Sequence, residues 1–342
     1  MKLLRTLALA VAATMLGAVV VPAQEVTLTL HHFLGPKSPA HAKFLEPWAK
    51  EIEAQSGGRI KIELFPSMAL GGKPPELYGQ VRDGVADIVW TLPGYTPGVF
   101  PRTEVFELPG VHKGNALATD LAIQDIYPMI ADDFKDVKVL LVFVHAGNAI
   151  HLVDKAVHSP ADLKGLKLRT PSRTGAWIIE SWGAEPVGMP LPSLPEALSK
   201  KAVDGALIPF EVVPAIKLQE MTKYSVEGAD GTRFGTSVFL FAMNKARYDS
   251  LPDDLKKIID DNSGAALAAK AGKLWNSFEA PGEKMQAEAD GEIIKLSAGE
   301  MAEFEKLNQQ VVDRWIEEAT KNGIDGKALV DAAKAAVLKH SQ

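Results

Sequence analysis

The stretch Ala161-Asp-Leu-Lys-Gly-Leu-Lys-Leu-Arg-Thr-Pro-Ser-Arg173 decides the fold. It reads as a tight turn, a short strand over Leu166–Leu168 and the start of a helix, with Pro171 in the first-turn position where its missing N–H costs nothing. Strand, short loop, helix is the repeating unit of an α/β protein, and open α/β sheets bind ligands at the carboxyl ends of their strands. Arg169 stands at such an end. Its planar, permanently charged guanidinium suits a carboxylate held by two parallel hydrogen bonds. An ordinary ion pair with a surface Asp or Glu is the competing reading. Ser172 and Arg173 sit near the amide-rich helix start, which favours anions.

Working outward, the same alternation recurs on both sides. Upstream, Val26–Leu30 alternates as a strand and ends in the loop His31-His32-Phe33-Leu34-Gly35-Pro36. Phe44, Leu45, Trp48, Ala49 and Ile52 fall at helical spacing, and strands follow at Arg59–Phe65 and Ala86–Trp90. Glu104–Gly110 reads as a short extended segment and Asn115–Ile130 as a helix. Val137–Val144 is the strongest β run and a natural crossing between domains. Downstream, strands at Ile150–Val153, Glu185–Val187 and Ala206–Ile208 alternate with helices at Gly175–Trp182 and Ser193–Lys200, and Thr236–Met243 is a plausible return crossing. From Asp253 to about Met285 the pattern predicts one very long helix, long enough to run past one domain onto the other. After Ser250-Leu-Pro-Asp-Asp-Leu255 the sequence reads as helical to near the end.

The 342 residues exceed one ordinary core and suit two domains. The absence of cysteine excludes disulfides, thiolate metal sites and a Cys nucleophile. Residues 1–23 read as a secretory leader: Lys2 and Arg5, then an apolar run, then small residues at Val21-Pro-Ala23. The net charge of −6 becomes two units more negative without Lys2 and Arg5, which argues against nucleic acid and anionic membranes as partners. The expected layout is a leader over 1–23, one α/β lobe over 24–144 plus 234–270, a second over 145–233 plus 271–325, and a helical tail over 326–342. Two lobes joined by more than one crossing make a hinge, with a cleft between them for a small molecule.

Several motifs resemble one family. Ser56-Gly-Gly-Arg-Ile-Lys-Ile-Glu-Leu-Phe-Pro66 with Ala69-Leu-Gly-Gly72, Leu163–Pro171 with Gly183-Ala-Glu-Pro-Val-Gly-Met-Pro190, Ala197–Gly205 and Leu251–Ile259 are similar to the extracytoplasmic solute-binding proteins of TRAP transporters, the DctP family. The likeness runs from about Val26 to about Asn322. It implies a two-lobed periplasmic binding protein fold with a long helix spanning both lobes, a periplasmic location, an organic acid as ligand and the two TRAP membrane subunits as partners. It also implies that Arg169 pairs with the ligand carboxylate. Members that bind sugar acids carry Asn where this chain has Ile208, and polar groups near Leu92 and Ala149. Here these positions are apolar, and Leu191, Pro209, Phe210 and Phe234 lie at or near the implied pocket walls. A buried, unpaired hydroxyl beside Ile208 would cost roughly 1–3 kcal/mol, which disfavours a polyhydroxylated acid.

The ligand expected first is a small to medium-chain dicarboxylate; the alternative is an aromatic or short branched oxo or hydroxy monocarboxylate. Arg173 arbitrates: facing inward it makes a second fork, and facing outward it is a solvated charge. His32 or Phe33 is expected to touch ligand, with Trp90 and Tyr95 flanking the first-lobe loop. No His-x-x-x-His, nucleophile elbow, P-loop or dinucleotide fingerprint occurs, so neither an enzyme, a metal nor a cofactor is expected. The expected state is a monomer. A ligand sensor or a secreted enzyme on the same scaffold are the rival readings.

Overall fold

The computed structural model describes residues 25–342, so the expected leader lies outside the described residues. Its strands are β1 (Val26–His32), β2 (Ile60–Phe65), β3 (Ile88–Thr91), β4 (Val137–Val144), β5 (Ala149–Leu152), β6 (Lys167–Thr170), β7 (Glu185–Gly188), β8 (Gly205–Ile208), β9 (Tyr224–Gly228), β10 (Val238–Asn244) and β11 (Glu292–Leu296). They form two mixed sheets, one ordered β2-β1-β3-β10-β4 and the other β11-β9-β5-β8-β6-β7. Each sheet is the centre of one lobe of a mixed α/β fold.

In the first sheet β2, β1 and β3 are parallel, and β10 runs antiparallel between β3 and β4. Leu28, Leu30, Ile60, Ile88 and Leu240 are fully buried, as period-2 strands covered by helices require. In the second sheet β7, β6 and β8 are parallel and β5 is antiparallel to both β8 and β9.

Two crossings join the lobes side by side, residues 145–148 between β4 and β5 and residues 229–237 between β9 and β10. They bond to each other: Asn148 N–H donates to Gly235 O at 2.8 Å, and Phe234 N–H donates to Asn148 O at 2.9 Å. Gly147 makes this possible, because a Cβ there would sit 2.4 Å from Cβ of Arg233 and its φ is +118°. The helix Gly264–Glu288 is a third link. It packs on β4 and the helix Ala116–Asp125 in the first lobe, and on the turn Phe210–Val212 and β11 in the second.

Four sequence expectations change. The long helix is two, Asp253–Asp261 and Gly264–Glu288, divided at Asn262-Ser263, where Gly264 has φ +57°. Glu104–Gly110 is not extended; Thr103–Glu107 is a 3₁₀ turn that aims the buried Glu107 carboxylate at Val238 N–H (3.0 Å) and Thr174 Oγ1. The helix from Asn115 stops at Asp125, just before Pro128. Within the stretch after Leu255 read as helical, Glu292–Leu296 is a strand parallel to β9. Its β-branched Ile293 and Ile294 favour that state once Asp290, at φ +59°, has ended the helix. The last helix, Gly326–His340, returns to pack on Ala116–Asp125. Among the described residues no helix is long and apolar enough to cross a membrane.

Candidate functional site

The strand ends β1, β3, β6 and β8 and the two crossings converge on one cavity, with about 400 Å³ of space free of protein atoms, part of it open to solvent. The first lobe supplies an aromatic wall. Phe33 stacks on Trp90 (ring centroids 5.1 Å, 15° between planes), Tyr95 meets Phe33 edge-on at 5.4 Å, and Phe239 leans on Trp90 at 4.9 Å. Leu34 and Leu92 complete that side. The second lobe supplies Leu191, Leu207, Ile208, Pro209, Pro171 and Val212.

Arg169 enters from β6, between β7 and β8. It is 2% exposed. Its Nε donates to Met189 O at 2.9 Å, while Nη2 has no hydrogen-bond partner and no carboxylate pairs with it among the described residues. Burial holds its pKa below the usual value, opposed by the neighbouring Tyr95. The Tyr95 hydroxyl accepts from Leu191 N–H at 3.0 Å, tying the two lobes across the cavity mouth. Burial raises the Tyr95 pKa, so the phenol stays neutral beside the guanidinium. A buried guanidinium left with unused donors is energetically expensive unless an anion meets it.

Of the residues singled out from sequence, Phe33, Trp90, Leu92, Tyr95, Arg169, Leu191, Ile208 and Pro209 meet at this cavity. The others lie elsewhere. Arg173 turns away: Nε and Nη2 grip the Glu104 carboxylate at 2.6 and 2.7 Å, Nη1 holds Glu318 at 2.9 Å, and the guanidinium lies 5.0 Å from the Trp177 ring. His32 sits behind Phe33. Its Nε2 bonds His41 Nδ1 at 2.9 Å and its Nδ1 accepts from Leu34 N–H, so it braces the loop, with its pKa pushed by burial to about 3. Ala149 is fully buried in β5 opposite Ile208, beneath the wall. Phe210 packs edge-on against His151 at 4.9 Å and against the Arg233 guanidinium. Phe234 is buried with Trp182 and Phe304 in the second lobe.

Sequence reasoning missed the polar groups of the crossings and of the β8 turn. His145, Asn148, Ser237 and Glu211 all line the cavity. His145 is enclosed by the Gly147 and Ser237 backbone amides, and burial keeps it neutral. Glu211 had a signal: it is the lone charge in the apolar run Ile208-Pro-Phe-Glu-Val-Val213. Among the described residues no cluster of His, Asp and Glu is arranged to hold a metal ion.

Comparison with known proteins fits this geometry. The family model of bacterial extracellular solute-binding proteins, family 7 (DctP), matches residues 30–319. A TRAP solute-binding protein from a marine metagenome, specific for aromatic acid ligands and solved with metahydroxyphenylacetate, is 46% identical, with TM-score 0.91 and coverage of 93% of this chain and 100% of that one. One from Rhodoferax ferrireducens T118, solved with copurified benzoate, is 43% identical (TM-score 0.90; 92% and 98% covered). One from Bordetella bronchiseptica with bound mandelate is 26% identical (TM-score 0.84; 92% and 99% covered).

Proposed function

The chain belongs to family 7 of the bacterial extracellular solute-binding proteins, the solute-binding components of TRAP transporters, and from that membership we propose that its cargo is a single-ring aromatic monocarboxylate. One observation carries the reading: Arg169 is buried with Nη2 unpartnered, in a cavity walled by Phe33, Trp90, Tyr95 and Phe239. The carboxylate pairs with Arg169, and the ring lies against the aromatic wall, where offset or edge-on contact is favourable. The dicarboxylate expected first from sequence gives way to its alternative. A second acid group needs a second fork, and Arg173 is committed to Glu104 and Glu318. The ligands of the three similar solved structures each combine one ring with one carboxylate.

The mechanism follows from the two lobes. Trp90 and its neighbours belong to the first, Arg169 and Ile208 to the second, so ligand bridges them and favours closure about the paired crossings. Closure removes water and strengthens the ion pair. The closed form then delivers the acid, in the periplasm, to the TRAP membrane subunits, which read the closure.

Calorimetric titration with benzoate and adipate tests the reading, with intrinsic tryptophan fluorescence as a second signal. Saturable benzoate binding without turnover is expected, together with far weaker adipate binding. Tighter binding of adipate than of benzoate would sink the proposal, and conversion of benzoate to product would favour an enzyme.

A further inference from the structure

The cavity has a second polar feature besides Arg169. Asn148 and Glu211 are each 4% exposed and line it, and Asn148 Oδ1 and Glu211 Oε2 have no hydrogen-bond partner among the described residues. Buried oxygens are nearly always bonded, so two unbonded ones on residues that line the cavity are available to a ligand's polar group. Glu211 is held from behind: its backbone N–H donates to Glu279 Oε1 at 3.1 Å, and Glu279 belongs to the helix Gly264–Glu288. The charge of Glu279 acts on Glu211 in the same direction as its burial. Burial and Glu279 together push the Glu211 pKa well up, and Glu279 itself is raised to about 7 despite Arg233. A neutral Glu211 offers one O–H donor and acceptor oxygens, and Asn148 Oδ1 offers an acceptor.

Building on the aromatic-acid reading, we propose that Asn148 and Glu211 form a hydroxyl-recognition end, which selects ring-hydroxylated monocarboxylates over their unsubstituted counterparts. A phenolic hydroxyl matches the pair chemically. It donates to Asn148 Oδ1 while accepting from the Glu211 acid, which uses both of its own functions. A second carboxylate accepts from the Glu211 acid but cannot donate to Asn148 Oδ1. A methyl ether accepts but cannot donate, so it leaves Asn148 Oδ1 unpaired. A ring hydrogen leaves both oxygens unpaired, and such a mismatch is how a polar site discriminates most strongly.

Calorimetric titration of the full mature chain with benzoate, 3-hydroxybenzoate, 4-hydroxybenzoate and 3-methoxybenzoate tests this. At least one hydroxybenzoate is expected to bind about tenfold or more tightly than benzoate, with 3-methoxybenzoate showing no such gain. Glu211→Leu and Asn148→Leu should each bring the benzoate-to-hydroxybenzoate Kd ratio towards one, whatever happens to the benzoate Kd itself. Glu211→Gln, which keeps a donor and an acceptor, should retain most of the ratio. If Glu211→Leu does not fold, Asn148→Leu and the methoxy comparison still decide. A wild-type ratio near one for both hydroxybenzoates, or an unchanged ratio in the Leu variants, overturns the hydroxyl end while leaving the aromatic-acid reading intact. Failure of wild-type protein to bind benzoate or either hydroxybenzoate overturns that underlying reading and, with it, this one.

Discussion

Arg169 and Arg173 stand four residues apart on one strand–helix unit, and their partners give them opposite roles. Arg169 is buried with an unused Nη2 at the cavity. Arg169→Lys keeps the charge but loses the fork, so benzoate affinity should fall tenfold or more by calorimetry; unchanged affinity would remove Arg169 from the ligand. Arg173 instead closes a bidentate pair with Glu104, whose other neighbour is Trp315 Nε1 at 3.2 Å. Burial already pushes the Glu104 pKa up against the pull of Arg173. Arg173→Met leaves that carboxylate uncompensated and should cost about 1–3 kcal/mol of stability, seen as a lower unfolding midpoint, and, because the pair joins the two lobes, should weaken benzoate only through closure. A loss of benzoate binding greater than the loss of stability explains would return Arg173 to the ligand. Residue type and a strand end offered Arg169 as a candidate in the sequence, and the family resemblance singled it out. The orientation of Arg173 was not legible, because Glu104 and Glu318 lie 69 and 145 positions away.

Among the elements, the helix Gly264–Glu288 holds the site's second-lobe wall. The Glu279 carboxylate accepts from the Phe210 and Glu211 backbone N–H groups at 3.4 and 3.1 Å, and Gly282 lets that backbone approach. A Cβ at Gly282 would lie 2.0 Å from Phe210 O. Gly282→Ala should therefore destabilise by roughly 1–3 kcal/mol and also weaken benzoate, because the turn that moves carries Glu211 and Val212. Gly299→Ala is the control: its Cβ would meet only Ser297 Oγ, at 3.8 Å, so the helix should be unchanged or slightly more stable. Equal thermal midpoints for the two variants would contradict this account. The helix's existence was readable from composition. Its interruption at Asn262 and the strand Glu292–Leu296 were not, because pairing with β9 overrides a helical composition.

At the scale of the molecule, buried titratable groups set opposing pH dependences. Burial depresses His32 and His151 to about 3, His112 to about 4 and His145 well below its usual value. Their stabilising contribution is complete above the unfolded value near 6.5 and is lost as pH falls below it, when the unfolded chain takes up protons. Burial raises Glu107, Asp120, Glu211 and Glu279, the last to about 7. Their contribution is complete below the unfolded carboxylate value and is lost as pH rises towards the folded one. Between the unfolded carboxylate and imidazole values the two sets act in opposite directions, so the thermal midpoint should be flattest there and fall on both sides. A midpoint that rises steadily to pH 9 would refute this balance. Saturating benzoate should lift the whole curve by mass action. The sequence by itself determined the α/β class and the arginine near a strand end, which follow from local periodicity, turn residues and side-chain type. The apolar walls were expected from the family resemblance, and the crossings, expected at Val137–Val144 and Thr236–Met243, fall instead at residues 145–148 and 229–237, because those two runs supply strands of the first sheet. Only the tertiary structure decided which side chains meet. It stacked Phe33 on Trp90, turned Arg173 outward, sent Phe210 and Phe234 into the second lobe and brought Asn148 and Glu211 to the cavity. Those placements depend on partners far away along the chain, and local pattern carries no information about them.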